Sequence, residues 1–283
     1  MKIIHSVKEL SFWRAQLSKK ASLGFVPTMG ALHDGHLSLV DASCAQNDST
    51  IVSIFVNPTQ FNDPNDLAKY PKDHARDIAL LKSRNVDAIF IPDVDQMYTS
   101  EELSQNFDAI ELKSLDQKLE GLNRPGHFNG VVQIVSKLLN LVRPQIIFLG
   151  QKDYQQFLII KQMIKSLGLP ILASKVKTKR EANGLAMSSR NEQLTKEERE
   201  HSKVIYQTLQ FIKENKHNYA LHDLRQKAIN RLKKASVIKE VEYVELLNAD
   251  NLENIESIAE TANIIACVAV KTQKVRLIDN MFI

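Results

Sequence analysis

The residues best placed to do chemistry lie in Pro27-Thr28-Met29-Gly30-Ala31-Leu32-His33-Asp34-Gly35-His36, where two imidazoles stand three residues apart just after a short apolar run. That position reads as a helix entry. First-turn amides and the helix dipole favour an anion there, and an imidazole adds a donor to a phosphate oxygen. Gly30 and Gly35 lack a Cβ, which lets the backbone approach a ligand closely. Two plainer readings compete. One is a tight turn with Asp34 as N-cap and both histidines satisfied internally; the other is a zinc site, for which no HExxH, third histidine or cysteine cluster speaks.

Two further polar segments follow apolar runs: Asn57-Pro58-Thr59-Gln60-Phe61 and Gly150-Gln151-Lys152-Asp153-Tyr154-Gln155-Gln156. Gln60 and Gln156 are neutral amides, each donor and acceptor, suited to a substrate with hydroxyl and carboxylate groups, although glutamines also serve as plain surface residues. Lys152 offers a point charge to a phosphate, and Asp153 either caps a helix or accepts from a ribose hydroxyl. Met187-Ser188-Ser189-Arg190-Asn191, with Gly184 before it as a hinge, brings together two hydroxyls and a guanidinium. Such a set can surround a polyphosphate and stabilise a departing pyrophosphate; its position equally suits a polar linker. Gly121-Leu122-Asn123-Arg124-Pro125-Gly126-His127-Phe128 has the glycine spacing of a Walker A loop but not its Lys-Ser/Thr, and no GxGxxG follows the first run. Arg124 or His127 there either meets an anion or belongs to a Pro-Gly turn.

Strand–helix units must hold these segments. The runs at 23–26, 51–56, 88–91 and 146–149 are short and nearly continuous, as expected of strands buried on both faces of a parallel sheet. Between them, 36–46, 73–84, 131–141 and 153–167 read as helices. In the last, Phe157, Ile160 and Ile164 recur at helical spacing, and Gly168-Leu169-Pro170 ends the element. The expected fold class is α/β: a Rossmann-like parallel sheet with helices on both faces. From about residue 177 the pattern changes. Thr195-Lys196-Glu197-Glu198 has the form of a capping box opening a charged helix, a second helix covers 221–234, and strands follow near 241–247, 263–270 and 275–278. A first domain over 1–176 and a smaller α+β domain over 177–283 are therefore expected. In an open parallel sheet, ligands bind beyond the carboxyl ends of the strands, where three of the polar segments fall.

The 283 residues, 43% hydrophobic and 25% charged, describe a globular chain of one large domain and one smaller, and exclude disordered or collagen-like material. No apolar run nears the ~20 residues that cross a bilayer, and the first ten residues lack a separate apolar core region, so neither a membrane span nor a secretory signal is expected. Cys44 and Cys267 have no partners at metal or redox spacing and read as buried thiols of a reduced, cytoplasmic protein. The net charge of +4 fits anionic substrates better than nucleic acid, whose binders concentrate charge; the densest cluster is Lys175, Lys177, Lys179 and Arg180.

Taken together, PTMGALHDGH, FVNPTQF, NRPGHFNGVV, FLGQKDYQQ, GLAMSSRN and the closing VRLIDN resemble, in order, the motifs of the AMP-forming pantoate–β-alanine ligase family, within the HxGH nucleotidyltransferase superfamily. The resemblance implies condensation of (R)-pantoate with β-alanine through a pantoyl adenylate, releasing AMP and pyrophosphate, in pantothenate and coenzyme A biosynthesis. It implies that Met29, Gly30, Ala31, Leu32, His33, Asp34, Gly35 and His36 line the ATP phosphates, with His36 the proton donor. Gly150, Gln151, Lys152 and Asp153 would hold the nucleotide, Asp153 on the ribose, while Gln60 and Gln156 grip pantoate. Lys179 falls where the family makes a main-chain contact to adenine. Met187, Ser188, Ser189 and Arg190 would be the counterpart of a KMSKS loop; with no lysine in it, Arg190 and Lys152 supply the positive charge. Magnesium is implied chiefly through ATP, its protein ligand open although Asp77 lies near one acidic position. A homodimer is implied, and no membrane or nucleic-acid partner. The rivals are another HxGH nucleotidyltransferase and a basic nucleic-acid-binding module.

Overall fold

The computed structural model describes residues 1–104 and 111–283. Among them, six strands form one sheet: β1 (Lys2–Ile4), β2 (Leu23–Thr28), β3 (Ser49–Ile54), β4 (Ala88–Phe90), β5 (Ile146–Gly150) and β6 (Leu172–Val176), in the order β1-β4-β3-β2-β5-β6. Every pairing is parallel. Helices flank the sheet, as the alternation of apolar runs and amphipathic stretches requires. Val26, Val52, Ile54, Ile89 and Phe148 from the strands bury against Leu37 and Val40 of the Asp34–Gln46 helix and Leu81 of the His74–Lys82 helix. From β2 the chain adds β3 and β4 on one side and β5 and β6 on the other. The order thus reverses between β2 and β5, and in open α/β sheets such a reversal is where ligands bind, beyond the carboxyl ends of the strands.

Four of these strands coincide with the apolar runs; β1 and β6 do not. β1 has three residues, two of them exposed, and stops where Ser6 caps the Val7–Gln16 helix in a capping box with Glu9. β6 is the opposite edge, with Leu172 63% exposed and Lys175 on it, so it lacks the apolar signature of a central strand. The helix expected from residue 153 begins one residue later, as Tyr154–Ser166, after a 3₁₀ turn at Gln151–Asp153. Gly168 ends it in a left-handed conformation at φ +61°.

Contacts divide the chain into two units. One comprises Met1–Gly150 and Gln155–Val176, the other Gln151–Tyr154 and Lys177–Ile283. Gln151–Tyr154, expected in the first domain, thus groups with the second unit. The cause is local. Tyr154 Oη donates to Ala249 O at 2.8 Å, and its ring meets Phe282 edge-on at 5.3 Å between centroids.

The second unit is an antiparallel sheet of β7 (Glu240–Asn248), β8 (Ile264–Lys271) and β9 (Arg276–Phe282), in that order. Ile205, Leu209 and Ile212 of the Val204–Asn215 helix and Leu224, Ala228 and Leu232 of the Leu221–Lys233 helix form its core with Val244, Ala266, Val268 and Leu277. The Thr195 capping box is present, opening a short Lys196–His201 helix. Among the described residues no helix is long and apolar enough to cross a membrane.

Candidate active site

In the first unit the polar turns crown β2 and β3. After Thr28 the backbone enters left-handed space at Gly30 (φ +80°) and at Ala31 (φ +50°), a conformation that costs a residue with a side chain. Asp77, 1% exposed, holds that turn: its Oδ2 accepts from Ala31 N at 2.9 Å and its Oδ1 from Leu32 N at 2.8 Å. A Cβ on Gly30 would lie 2.9 Å from Asp77 Oδ2. Burial raises the Asp77 carboxyl above its ordinary pKa, opposed by the Leu32 and Ala31 amides and by nearby His74. Asp77 thus braces the backbone of this turn. Among the described residues no group of three or more His, Cys, Asp or Glu converges as a metal site.

His33 ends this turn and opens the Asp34–Gln46 helix. Its Nδ1 accepts from Gly35 N at 3.1 Å, while His36 Nδ1 accepts from His33 N at 3.4 Å. The N-cap is therefore His33 and not Asp34, which is the first helical residue and exposed. A neutral imidazole that accepts at Nδ1 carries its proton on Nε2. The two rings lie 4.1 Å apart between centroids, tilted by 32°, and by this assignment each carries its proton on Nε2.

After β3, the chain turns through a 3₁₀ segment at Pro58–Gln60. Buried Asn57 locks it: Nδ2 donates to Gly130 O at 3.0 Å and Gln60 Oε1 at 3.2 Å, and Oδ1 accepts from Tyr98 Oη at 2.8 Å and Thr59 Oγ1 at 3.1 Å. Burial pushes the Tyr98 phenol up to about 12. Gln60 Nε2 lies against Met29 Sδ, which ties this turn to the one after β2. Behind it, the His127–Val142 helix comes so close at Gly130 that a Cβ would sit 2.3 Å from Thr59 O. His127 Nδ1 must donate to Gln60 O, at 2.8 Å, because a carbonyl only accepts; its Nε2 then accepts from Arg124 Nη1 at 3.1 Å. Arg124 and His127 thus brace the Gln60 backbone, a role that neither sequence reading of this segment included.

Gln156 is half-buried on the first turn of the Tyr154–Ser166 helix. Its neighbour Gln155 is spent on structure, accepting from Glu120 N at 2.9 Å and donating to Leu115 O and Lys118 O at 2.6 and 2.7 Å. Sequence reasoning separated these two glutamines only through the family motif. It gave Asp77 no bracing role, and Asn57 no role beyond its segment. An Asn before Pro at a strand end was a usable signal for Asn57, whereas nothing local marks Tyr98.

In the second unit, Lys152 Nζ is 3.4 Å from Asp153 Oδ1, and the Gln151–Asp153 turn is held by Asn280 of β9. Lys179 and Met187 face each other across a hairpin, Met187 N donating to Lys179 O at 3.0 Å. Ser188 caps the Ser189–Gln193 3₁₀ helix by accepting from Arg190 N; Ser189 is buried and Arg190 half-buried.

The likeness to known proteins runs over the whole chain. The family model for pantoate-beta-alanine ligase matches residues 2–282. The pantothenate synthetase of Azobacteroides pseudotrichonymphae genomovar. CFP2 is 41% identical over 283 residues, 99% of each chain. That of Dehalococcoides mccartyi (strain CBDB1) is 44% identical over 266 residues, 92% of this chain and 96% of the relative. Among solved structures, pantothenate synthetase from Thermus thermophilus aligns with a TM-score of 0.91 at 36% identity, covering 99% of both chains. Pantoate-beta-alanine ligase from Francisella tularensis, complexed with beta-gamma ATP and beta-alanine, aligns with a TM-score of 0.80 at 36% identity, covering 100% of this chain and 97% of that one. With paired imidazoles at a sheet's reversal point and a match running from the second residue to the last but one, the chain belongs to the pantoate-beta-alanine ligase family.

Proposed function

We propose that this chain condenses (R)-pantoate with β-alanine through an enzyme-bound pantoyl adenylate, as a step of pantothenate and coenzyme A biosynthesis. Its enzyme class, an ATP-using ligase, follows from the family. In the first step a pantoate carboxylate oxygen attacks the α-phosphorus of ATP and pyrophosphate leaves. In the second the β-alanine amine attacks the acyl carbon, the acyl–oxygen bond breaks towards AMP, and the amine loses a proton. Catalysis here is positioning and charge stabilisation, with no covalent bond to the enzyme.

The observation that carries this reading is the histidine pair. Two Nε2–H donors at a helix entry suit the negative charge that grows on the triphosphate as pyrophosphate departs, with His36 the proton donor. Around them Met29, Gly30, Ala31, Leu32, Asp34 and Gly35 line the phosphates. Gln60 and Gln156 hold pantoate by carboxamides, Gln60 pre-set by Asn57 and Met29. Gly150, Gln151, Lys152 and Asp153 take the nucleotide, Asp153 at the ribose, and Lys179 meets adenine through its main chain. Met187, Ser188, Ser189 and Arg190 clamp the phosphates, Arg190 and Lys152 giving the charge.

Magnesium, in this reading, arrives on the ATP phosphates, whose charge it neutralises. Among the described residues no cluster of carboxylates or imidazoles forms a cage for it, and both Asp77 oxygens are engaged by amides. A cytoplasmic homodimer completes the proposal, and sedimentation at micromolar concentration would test the dimer. The decisive assay is incubation with ATP, magnesium, pantoate and β-alanine. AMP should accumulate over many turnovers only when both acids are present; sustained AMP release without β-alanine, or none with both acids, overturns the reading.

A further inference from the structure

Two consecutive residues of β9, Asp279 and Asn280, are 3% and 4% exposed, and the reaction as read makes no use of either. Neighbouring residues on a strand point to opposite faces. On one side, Asn280 Nδ2 donates to Gln151 O at 2.9 Å and to Lys152 O at 2.8 Å, while its Oδ1 accepts from Gln151 Nε2 at 3.4 Å. On the other, the Asp279 carboxylate takes both guanidinium arms of Arg180, at 2.5 and 3.0 Å. Arg180 also donates to Gly184 O at 3.1 Å and lies over the Tyr206 ring at 4.2 Å.

Arg180 anchors a small hairpin. It bridges to Ala186, Glu181 N donates to Leu185 O at 2.8 Å, and Met187 N donates to Lys179 O at 3.0 Å. The hairpin delivers Met187 directly into Ser188, Ser189 and Arg190, and Asn191 Nδ2 closes it onto Ala186 O at 3.0 Å and Glu181 Oε1 at 2.7 Å. One strand therefore fixes both segments of this unit that the proposed function gives to ATP. Bidentate guanidinium–carboxylate pairs and buried carboxamides are directional, so they set orientation as well as place.

We propose that Asp279 and Asn280 are positioning residues for the nucleotide: Asn280 sets the Gln151–Lys152 backbone from which the Lys152 ammonium acts, and Asp279, through Arg180, sets the hairpin that presents residues 187–190. This inference rests on the assignment of Lys152 and residues 187–190 to ATP. Neither residue touches substrate. Both act through others, and the effect falls on ATP rather than on pantoate.

The test is a two-by-two set of Asn280→Ala and Lys152→Ala in the full chain, with Asn280→Asp beside it. Asn280→Asp keeps the buried shape and one acceptor but removes the donors to both carbonyls, so it carries the test should the alanine variant fail to fold. Both Asn280 variants should raise the KM for ATP about tenfold and slow single-turnover adenylate formation, leaving the KM for pantoate within about twofold. In the Lys152→Ala background, Asn280→Ala should add less than about twofold, because residues acting in series are not additive. The proposal is overturned if the pantoate and ATP constants rise together, if Asn280→Asp behaves as wild type, or if Asn280→Ala keeps its full effect without Lys152. Should Lys152→Ala alone leave ATP use unchanged, the ATP assignment of Lys152 falls, and the Asn280 part of the inference falls with it.

Discussion

The turn after β2 and the segment after β5 both follow strands of one sheet, yet they are held by different means. His33 and His36 are fixed largely from within, by amides two and three residues away, with one carboxylate, Asp77, reaching in from 46 residues along the chain. Gln151 and Lys152 are fixed from a distance in sequence: their carbonyls are gripped by Asn280, 129 and 128 residues later, on β9 of the same second unit. A locally braced turn keeps its shape through its own sequence. A remotely braced one takes its shape from whichever body holds it, and that is why Gln151–Tyr154 counts with the second unit although it continues a strand of the first.

Breaking the local turn at its functional end should have the largest effect. His36→Ala removes one of the two Nε2–H donors, and single-turnover adenylate formation is expected to fall by about 10²-fold or more, the scale of losing one transition-state donor. Asp77→Ala attacks the same turn from behind. Two buried amides lose their acceptor, so stability should fall by about 1–3 kcal/mol in denaturant titration. Adenylate formation should slow by about tenfold with both histidines still present. An unchanged rate at lowered stability would show that the turn needs no brace. Gln60→Ala should be smaller and selective, weakening pantoate use about tenfold with less effect on ATP; equal losses in steady-state assays would contradict the assignment.

The smallest effect compares the units through one buried tyrosine in each. Burial pushes both Tyr98 and Tyr154 up to about 12, from an ordinary value of 10.0. Below pH 10 folded and unfolded chains both keep these protons. Between 10 and 12 the unfolded chain gives them up first, so the two phenols contribute stability that is lost as pH rises through that window. Tyr98→Phe and Tyr154→Phe should each remove about half of the late tyrosinate absorbance attributable to this pair and flatten the alkaline loss of stability. A titration in which neither variant changes the late phase would show that these phenols are not shielded.

How far the sequence could be read follows the same divide. The central strands declared themselves because burial on both faces demands continuous apolar residues, as in Phe25, Val26, Ile51 and Val52. The edge strands β1 and β6 did not, since an edge is half solvated and Leu172 and Lys175 look like any surface stretch. The helix entry at the paired histidines was legible, but the capping role of His33 was not. Asp34 beside it is the commoner cap type, and only the folded backbone shows the imidazole taking the Gly35 amide. The bracing by Asp77, Tyr98 and Asn280 was hidden for a simpler reason: each acts across 41 to 129 residues of chain, and one sequence carries no sign of which distant groups meet.

The seam at Gly130 limits how the Pro58–Gln60 turn can be altered. A methyl group there would collide with the Thr59 carbonyl, backbone against backbone, so no rotamer change could relieve it. The spacing between this helix and the Thr59–Gln60 backbone is thus of fixed gauge, and change on this side of the turn is left to the side chains of Met29 and Gln60.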